Sequence, residues 1–191
     1  MNITIHIATK SYWIYATKIC QLIEMSALER GTGIARRTPE YLQEKMAANK
    51  AVIALAGDDL VGFCYIETWS TGNYVANSGL IVSPKFRKQG VAKILKEAAF
   101  NHARNKYPKA KVFGITTSLA VMKINSELGY KPVTFSELTQ DEAFWEGCTS
   151  CPNYSILQQN QQKLCLCTGM LAPSKEEEMR LNLTSLIIKK T

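Results

Sequence analysis

The residues best suited to chemistry lie together in Leu80-Ile81-Val82-Ser83-Pro84-Lys85-Phe86-Arg87-Lys88-Gln89-Gly90-Val91-Ala92. An apolar run ends at a proline, crosses a basic loop and reaches a glycine that opens a helical pattern. Such a junction directs unpaired backbone N–H groups at one point, with the positive end of the helix dipole behind them. Lys85, Arg87 and Lys88 crowd the same turn. The combination suits a pyrophosphate, and Gly90 leaves the backbone open to phosphate oxygens. Two other phosphate cradles fit worse. A Walker A loop needs Gly-Lys-Ser/Thr, which the chain lacks. A dinucleotide fingerprint needs three glycines and usually an acidic residue closing the next strand, and neither is evident. A plain strand-to-helix connection with a solvated basic loop is the bland alternative.

Cysteines form a second cluster. Cys148, Cys151, Cys165 and Cys167 lie close in sequence, with Cys20 and Cys64 elsewhere. Cys148-x-x-Cys151 can wrap an ion from a tight turn. Cys165-x-Cys167 puts both thiols on one face of a strand, since side chains alternate there. Four thiolates about 2.3 Å from zinc are chemically reasonable, so a structural zinc outside the reacting centre is one expectation. Free cysteines serving as small buried apolar residues are the other. A disulfide framework is disfavoured in a cytosolic chain.

A length of 191 residues suits one domain with a substantial core, and 46% hydrophobic with 20% charged residues describes a globular protein. No apolar run approaches the roughly 20 residues that span a bilayer. The first 22 residues lack a small-residue cleavage pattern, so a cytoplasmic protein is expected, with no membrane partner. The net charge of +7 raises nucleic acid as a partner. Yet the basic residues are scattered apart from Arg36-Arg37, the 85–88 cluster and Lys189-Lys190, and no aromatic-interleaved stripe appears. A small polyanion explains the local cluster, and no nucleic acid is expected.

The elements that must hold these groups can be read from periodicity. Residues 3–8 alternate as a strand, and 16–27 form a helix facing inward with Ile19, Cys20, Ile23 and Ala27. Residues 28–37 read as a loop. Thr38-Pro39-Glu40 then starts a second helix, with Thr as cap, Pro in the first turn and Glu on the dipole. Residues 51–56 and 60–68 make a hairpin about Gly57-Asp58-Asp59. The strand 74–82 delivers the basic loop. The helix 91–105 presents Val91, Ile94, Leu95, Ala98, Ala99 and His102 as its inward stripe. A strand at 111–117, a helix at 120–128 closed by Gly129, and a strand at 130–135 complete the pattern. Residues 174–191 read as either a loose tail or an added edge strand.

The pattern Arg87-x-x-Gly90-x-Ala92, following a strand and Val82-Ser83-Pro84, resembles the acyl-CoA-binding motif of the GNAT superfamily of N-acyltransferases. The element order over residues 1–136 matches that family. The resemblance implies an α/β (α+β) GNAT fold: a mixed, mostly antiparallel central sheet flanked by helices. Residues 137–173 would be a Cys-containing extension packed on that core, and 174–191 a tail. It implies acetyl-CoA or another acyl-CoA as co-substrate, lying in a gap where strands 74–82 and 111–117 splay apart. Leu80, Ile81 and Val82 would polarise the thioester through backbone N–H. Arg87, Lys88, Gln89, Gly90, Val91 and Ala92 would hold the pyrophosphate, with Asn125 near the thiol. Related enzymes place a carboxylate near Glu67, whose apolar neighbours would raise its pKa if they enclose it; an edge-strand glutamate facing solvent fits equally well. Many relatives carry a tyrosine where this chain has Asn125. Tyr65 or Tyr74 substitutes, or water does, or catalysis rests on proximity. His102, on the buried stripe, reads as a satisfied core histidine, and His6 lies far from the motif.

The loop 29–37 falls in the family's acceptor region, and guanidinium forks match carboxylates. Arg30, Arg36 and Arg37 would thus suit an acidic amino acid; a solvated connector fits as well. The whole chain resembles a GNAT group from Bacteroidetes linked to arginine biosynthesis and similar to N-acetylglutamate synthases. That implies N-acylation of glutamate, from acetyl-CoA or succinyl-CoA, with a homodimer among the allowed assemblies. A protein N-acetyltransferase, a non-catalytic acyl-CoA-binding regulator and a nucleic-acid-associated module are the competing readings.

Overall fold

The computed structural model describes residues 2–30 and 35–188, the side chains of Arg30 and of residues 184–188 excepted. Seven strands form one sheet in the order β1-β2-β3-β4-β5-β7-β6. β1 (Thr4–Ala8), β2 (Ala51–Ala56), β3 (Asp59–Trp69) and β4 (Tyr74–Val82) run antiparallel in succession. β4 then pairs in parallel with β5 (Lys111–Thr116), only through Tyr74–Lys111, Val75–Val112 and Ala76–Phe113. β7 (Thr168–Ala172) inserts between β5 and β6 (Lys131–Val133), antiparallel to both.

Strand alternation divides the core into two layers. Ala51, Ile53 and Leu55 of β2 face α1 (Ala16–Arg30) and α2 (Pro39–Ala47), meeting Ile19, Ile23, Leu42 and Met46. Val52, Ala54 and Ala56 face α3 (Val91–Lys106), meeting Leu95, Ala99 and Phe100. Thr38 caps α2, its hydroxyl accepting from Tyr41 N–H at 3.2 Å. α4 (Leu119–Glu127) is capped by Ser118 and lies on the α3 side.

The inward face of α3 differs from the expected stripe. Val91, Leu95, Lys96, Ala99, Phe100 and Ala103 are buried, while Ile94 is half exposed. His102 is only partly buried, with its Nε2 2.7 Å from Asn49 O. The face is turned toward Phe100 because that ring packs on Tyr130, at 5.1 Å between centroids.

The C-terminal part departs further from expectation. α5 (Glu142–Glu146) and α6 (Tyr154–Gln159) seat Trp145 and Leu157 against Phe113, Phe135 and Leu138. Trp145 donates to Thr139 O at 3.0 Å, and Asp141 accepts from Ser70 N–H. Residues 175–188 are neither a loose tail nor an edge strand: α7 (Lys175–Ile188) is a helix, and 189–191 lie outside the described residues. A reciprocal capping box starts it, with Glu177 N–H donating to Ser174 Oγ and Ser174 N–H to Glu177. Pairs from Glu178 to Arg104 and from Lys175 to Asn105 tie it to the end of α3.

Candidate active site

A cavity of about 490 Å³ opens where β4 and β5 part. Parallel strands that stop pairing after Ala76 and Phe113 must diverge, and the lining passes from Asn77–Leu80 on one side to Gly114–Thr116 on the other. A bulge shapes the β4 wall. Phe63 pairs with Ile81 and Tyr65 with Ser78, so Gly79 and Leu80 lie opposite a single residue, Cys64. Gly79 sits at φ +64°, and a Cβ there would meet the Tyr65 ring at 2.3 Å. Only glycine fits both the turn and the ring.

At the end of β4 the basic loop leads into α3. Gly90 occupies its N-cap at φ +79°, with nothing among the described residues within 4 Å of where a Cβ would be. The loop's cations are not all directed outward. Arg87 donates to Glu29 at 2.9 Å, to Ser26 at 2.9 Å and to Val82 O at 3.2 Å. It braces the loop against α1 instead of presenting its fork to a diphosphate. Lys85 reaches Asp59 at 3.4 Å on the surface, and Gln89 donates to Lys85 O. Lys88 takes φ +63°, and Ala92 follows Val91 in the first turn of α3. Within the loop, Arg87 is therefore a strut between β4 and α1.

At the cavity's other end stand Arg36, Arg37, Tyr65 and Glu67. Arg37 donates through Nε to the Tyr65 hydroxyl at 2.7 Å and through Nη1 to Arg36 O at 2.7 Å. Its guanidinium lies 5.5 Å from the Tyr41 ring centroid. Burial pushes the Tyr65 phenol far above its usual range, so it stays neutral. Arg30 ends α1, its side chain outside the described set, as are residues 31–34 of the expected acceptor loop.

Glu67 is enclosed, but its neighbours are not apolar. Lys45 and Lys50 both pair with it, Lys50 at 2.5 Å, and Thr68 N–H donates at 2.9 Å. Burial alone would raise its pKa; the lysine hydrogen bonds and the Thr68 amide outweigh that and lower it. The expected upward shift is corrected by these partners.

The crevice floor holds Asn125, Asn77 and a residue the sequence reading passed over, Lys96. Asn125 is 1% exposed; its amide points at the Met170 sulfur, and among the described residues its Oδ1 has no hydrogen-bond partner. Lys96, on α3, is 2% exposed and donates to Asn77 O at 3.3 Å. The signal was its spacing: three before Ala99 and four before Phe100, on the buried face.

The model of the Acetyltransferase (GNAT) family matches residues 18–121. The chain belongs to that family. It is a GNAT-type acetyltransferase, and CoA is the co-substrate its family uses. No curated protein matches the sequence. Among solved structures, N-acetylglutamate synthase from Neisseria gonorrhoeae, complexed with coenzyme A and N-acetyl-glutamate, is similar at TM-score 0.65 and 17% identity. The similarity covers 91% of this chain and 35% of the synthase, so this chain spans about a third of that protein. A GNAT superfamily phosphinothricin acetyltransferase from Sinorhizobium meliloti, in complex with AcCoA, gives 0.63 at 13% identity over 92% and 90% of the two chains. The ribosomal-protein-S18-alanine N-acetyltransferase from Escherichia coli gives 0.58 at 12% over 91% and 94%. Identities this low establish the shared fold.

In this GNAT enzyme the cysteine segment forms part of the cavity wall. Cys148, Cys151 and Cys167 line it, and with Cys165 they surround a small apolar hollow behind it. Cys165 and Cys167 precede β7 and are not strand residues, and α6 lies between the two cysteine pairs. Burial and then the neighbouring thiols push Cys148 to about 11 and Cys167 to about 12. Among the described residues no three His, Cys, Asp or Glu are set to hold a metal ion. The expected zinc ligands thus share one place without forming a metal-holding set. No helix of the described residues is long and apolar enough to cross a membrane.

Proposed function

We propose that this enzyme transfers the acetyl group of acetyl-CoA to the α-amino group of an acidic amino acid, glutamate being the leading acceptor. One observation carries the reading. The acceptor end of the cavity holds Arg36 and Arg37, with Arg37 fixed by Tyr65 and Arg36 O. The only carboxylate lining it among the described residues, Glu67, is itself matched by two lysines. A cavity with that surplus of cations favours a dicarboxylate over a basic or neutral amine.

In this reading the diphosphate sits on the amides from Arg87 to Ala92, and the pantetheine arm enters between β4 and β5. Leu80 to Val82 present the N–H groups that polarise the thioester. Glu67, kept ionised by Lys45 and Lys50, takes the ammonium proton through water. Tyr65 positions Arg37 and exchanges no proton. Residues 1–136 and the β7 strand act as one acyltransferase core, with residues 137–167 as the acceptor wall. We read the four cysteines as packing in that wall; zinc found by metal analysis of the untreated protein would replace this reading. A place in arginine biosynthesis, in the cytoplasm, follows from the acceptor.

The test is thiol release from acetyl-CoA, and from succinyl-CoA in parallel, against glutamate, aspartate, glutamine, lysine and peptide N-termini. Saturable release with glutamate and weak release with glutamine is expected. Preference for a neutral or basic amine, or for peptides, would overturn it.

A further inference from the structure

A lysine ammonium inside a sheet-helix interface is costly unless something answers its charge. Lys96 is answered by very little. Among the described residues it makes one hydrogen bond, to Asn77 O at 3.3 Å, lies 5.8 Å from the Tyr130 ring centroid, and has no carboxylate partner. An ammonium has three N–H donors, so its capacity is largely unused. Its nitrogen lies 3.8 Å from where a Cβ on Gly114 would be, in the floor of the gap between β4 and β5. Asn125, with its orphaned Oδ1, lines the same floor. A methionine or leucine would fill the position at lower cost, so packing does not account for the charge.

We propose that Lys96 is the proton donor to the coenzyme A thiolate, at a crevice where α4 offers only an asparagine. The proposal rests on acyl transfer from CoA through this crevice, and not on which amine accepts. The amine nitrogen attacks the thioester carbon, and the C–N bond forms. The tetrahedral oxyanion collapses, the C–S bond breaks, and its electron pair leaves on sulfur. Lys96 Nζ passes a proton to that sulfur, becomes neutral, and is reprotonated from solvent once the thiol departs. The second amine proton leaves through the acceptor end.

The surroundings suit that exchange. Burial lowers the pKa of Lys96 from the usual lysine value, in the direction of a thiol's, which brings donor and acceptor closer to balance. Cys64 of β3 and Tyr130 after α4 are the titratable groups beside it. Burial raises both, Cys64 to about 11, so neither supplies a negative charge near neutral pH. Glu67 and Arg37 line the cavity's acceptor end.

The experiment titrates the thiol of CoA bound to the protein, following thiolate absorbance as a difference from the protein alone. In the wild type the bound thiol should ionise about one pH unit or more below free CoA, because the ammonium stabilises the thiolate. Lys96→Arg keeps most of that shift, and Lys96→Met abolishes it while CoA still binds. With an accepted amine, Lys96→Met lowers kcat roughly 100-fold, leaves KM for acetyl-CoA within a few-fold, and removes the high-pH limb of kcat. A bound thiol titrating like free CoA in the wild type, or identically in Lys96→Met, overturns the proposal. If Lys96→Met does not fold, the wild-type comparison with free CoA still decides. Turnover absent with glutamate would sink the acceptor reading while leaving this titration to judge Lys96.

Discussion

Two charged side chains reach into this molecule from neighbouring elements and meet opposite treatment. Glu67 receives Lys45, Lys50 and the Thr68 amide. Lys96, more deeply buried, receives one carbonyl. A charge with its partners built in is held ionised by the fold before any substrate arrives, and truncating it strands those partners. A charge left open at a cavity floor is matched for a visitor, and the fold bears the cost until the visitor arrives. The same contrast runs through the arginines: Arg87 is consumed by Glu29, Ser26 and Val82 O, whereas Arg37 is positioned from behind and faces the cavity.

Lys96→Met should cost about 100-fold in kcat yet leave the melting temperature unchanged or raised, since it removes an unpaired buried charge. A fall of several degrees would place Lys96 with the structural charges. Arg37→Ala should raise KM for the acidic acceptor about tenfold while KM for acetyl-CoA stays put. Equal effects on both substrates would show that Arg37 is a general brace.

Glu67→Gln should behave the other way in stability. We expect a loss of about 1–3 kcal/mol near neutral pH, measured by denaturant unfolding. Glu67 titrates below its usual 4.5 in the folded state, so its stabilising share is present above that pH. That share is lost as pH falls through the lowered folded value, and the variant and wild type should converge there. A gap that persists in acid would contradict the pairing. Smallest of all, Lys85→Ala should change stability by less than about 0.5 kcal/mol, because its partner Asp59 and Lys85 itself are both largely exposed.

Much of this fold could be read from local chemistry. Thr38-Pro39-Glu40 placed the start of α2, and Gly129 the end of α4, because caps and φ-permissive residues act within one turn. The loop between β4 and α3, with Gly90 at the N-cap, was legible for the same reason. What failed depended on distant partners. β7 is five residues long and pairs with β5 and β6 far upstream, so no local period announced it. α7 does carry a local sign, Ser174-x-x-Glu177, which the acidic run beside it obscures. The Glu67 environment came from Lys45 on α2 and Lys50 before β2, which only the fold brings together. Lys96 escapes an inward stripe built from apolar residues alone, because a buried charge breaks that rule.

Amide hydrogen exchange with and without acetyl-CoA tests the central geometry most directly. Protection should rise together at Leu80–Val82 and at residues 89–93, the two ends of one path from thioester to diphosphate. Protection at only one of these segments, or at neither while the cofactor binds elsewhere, would contradict the account.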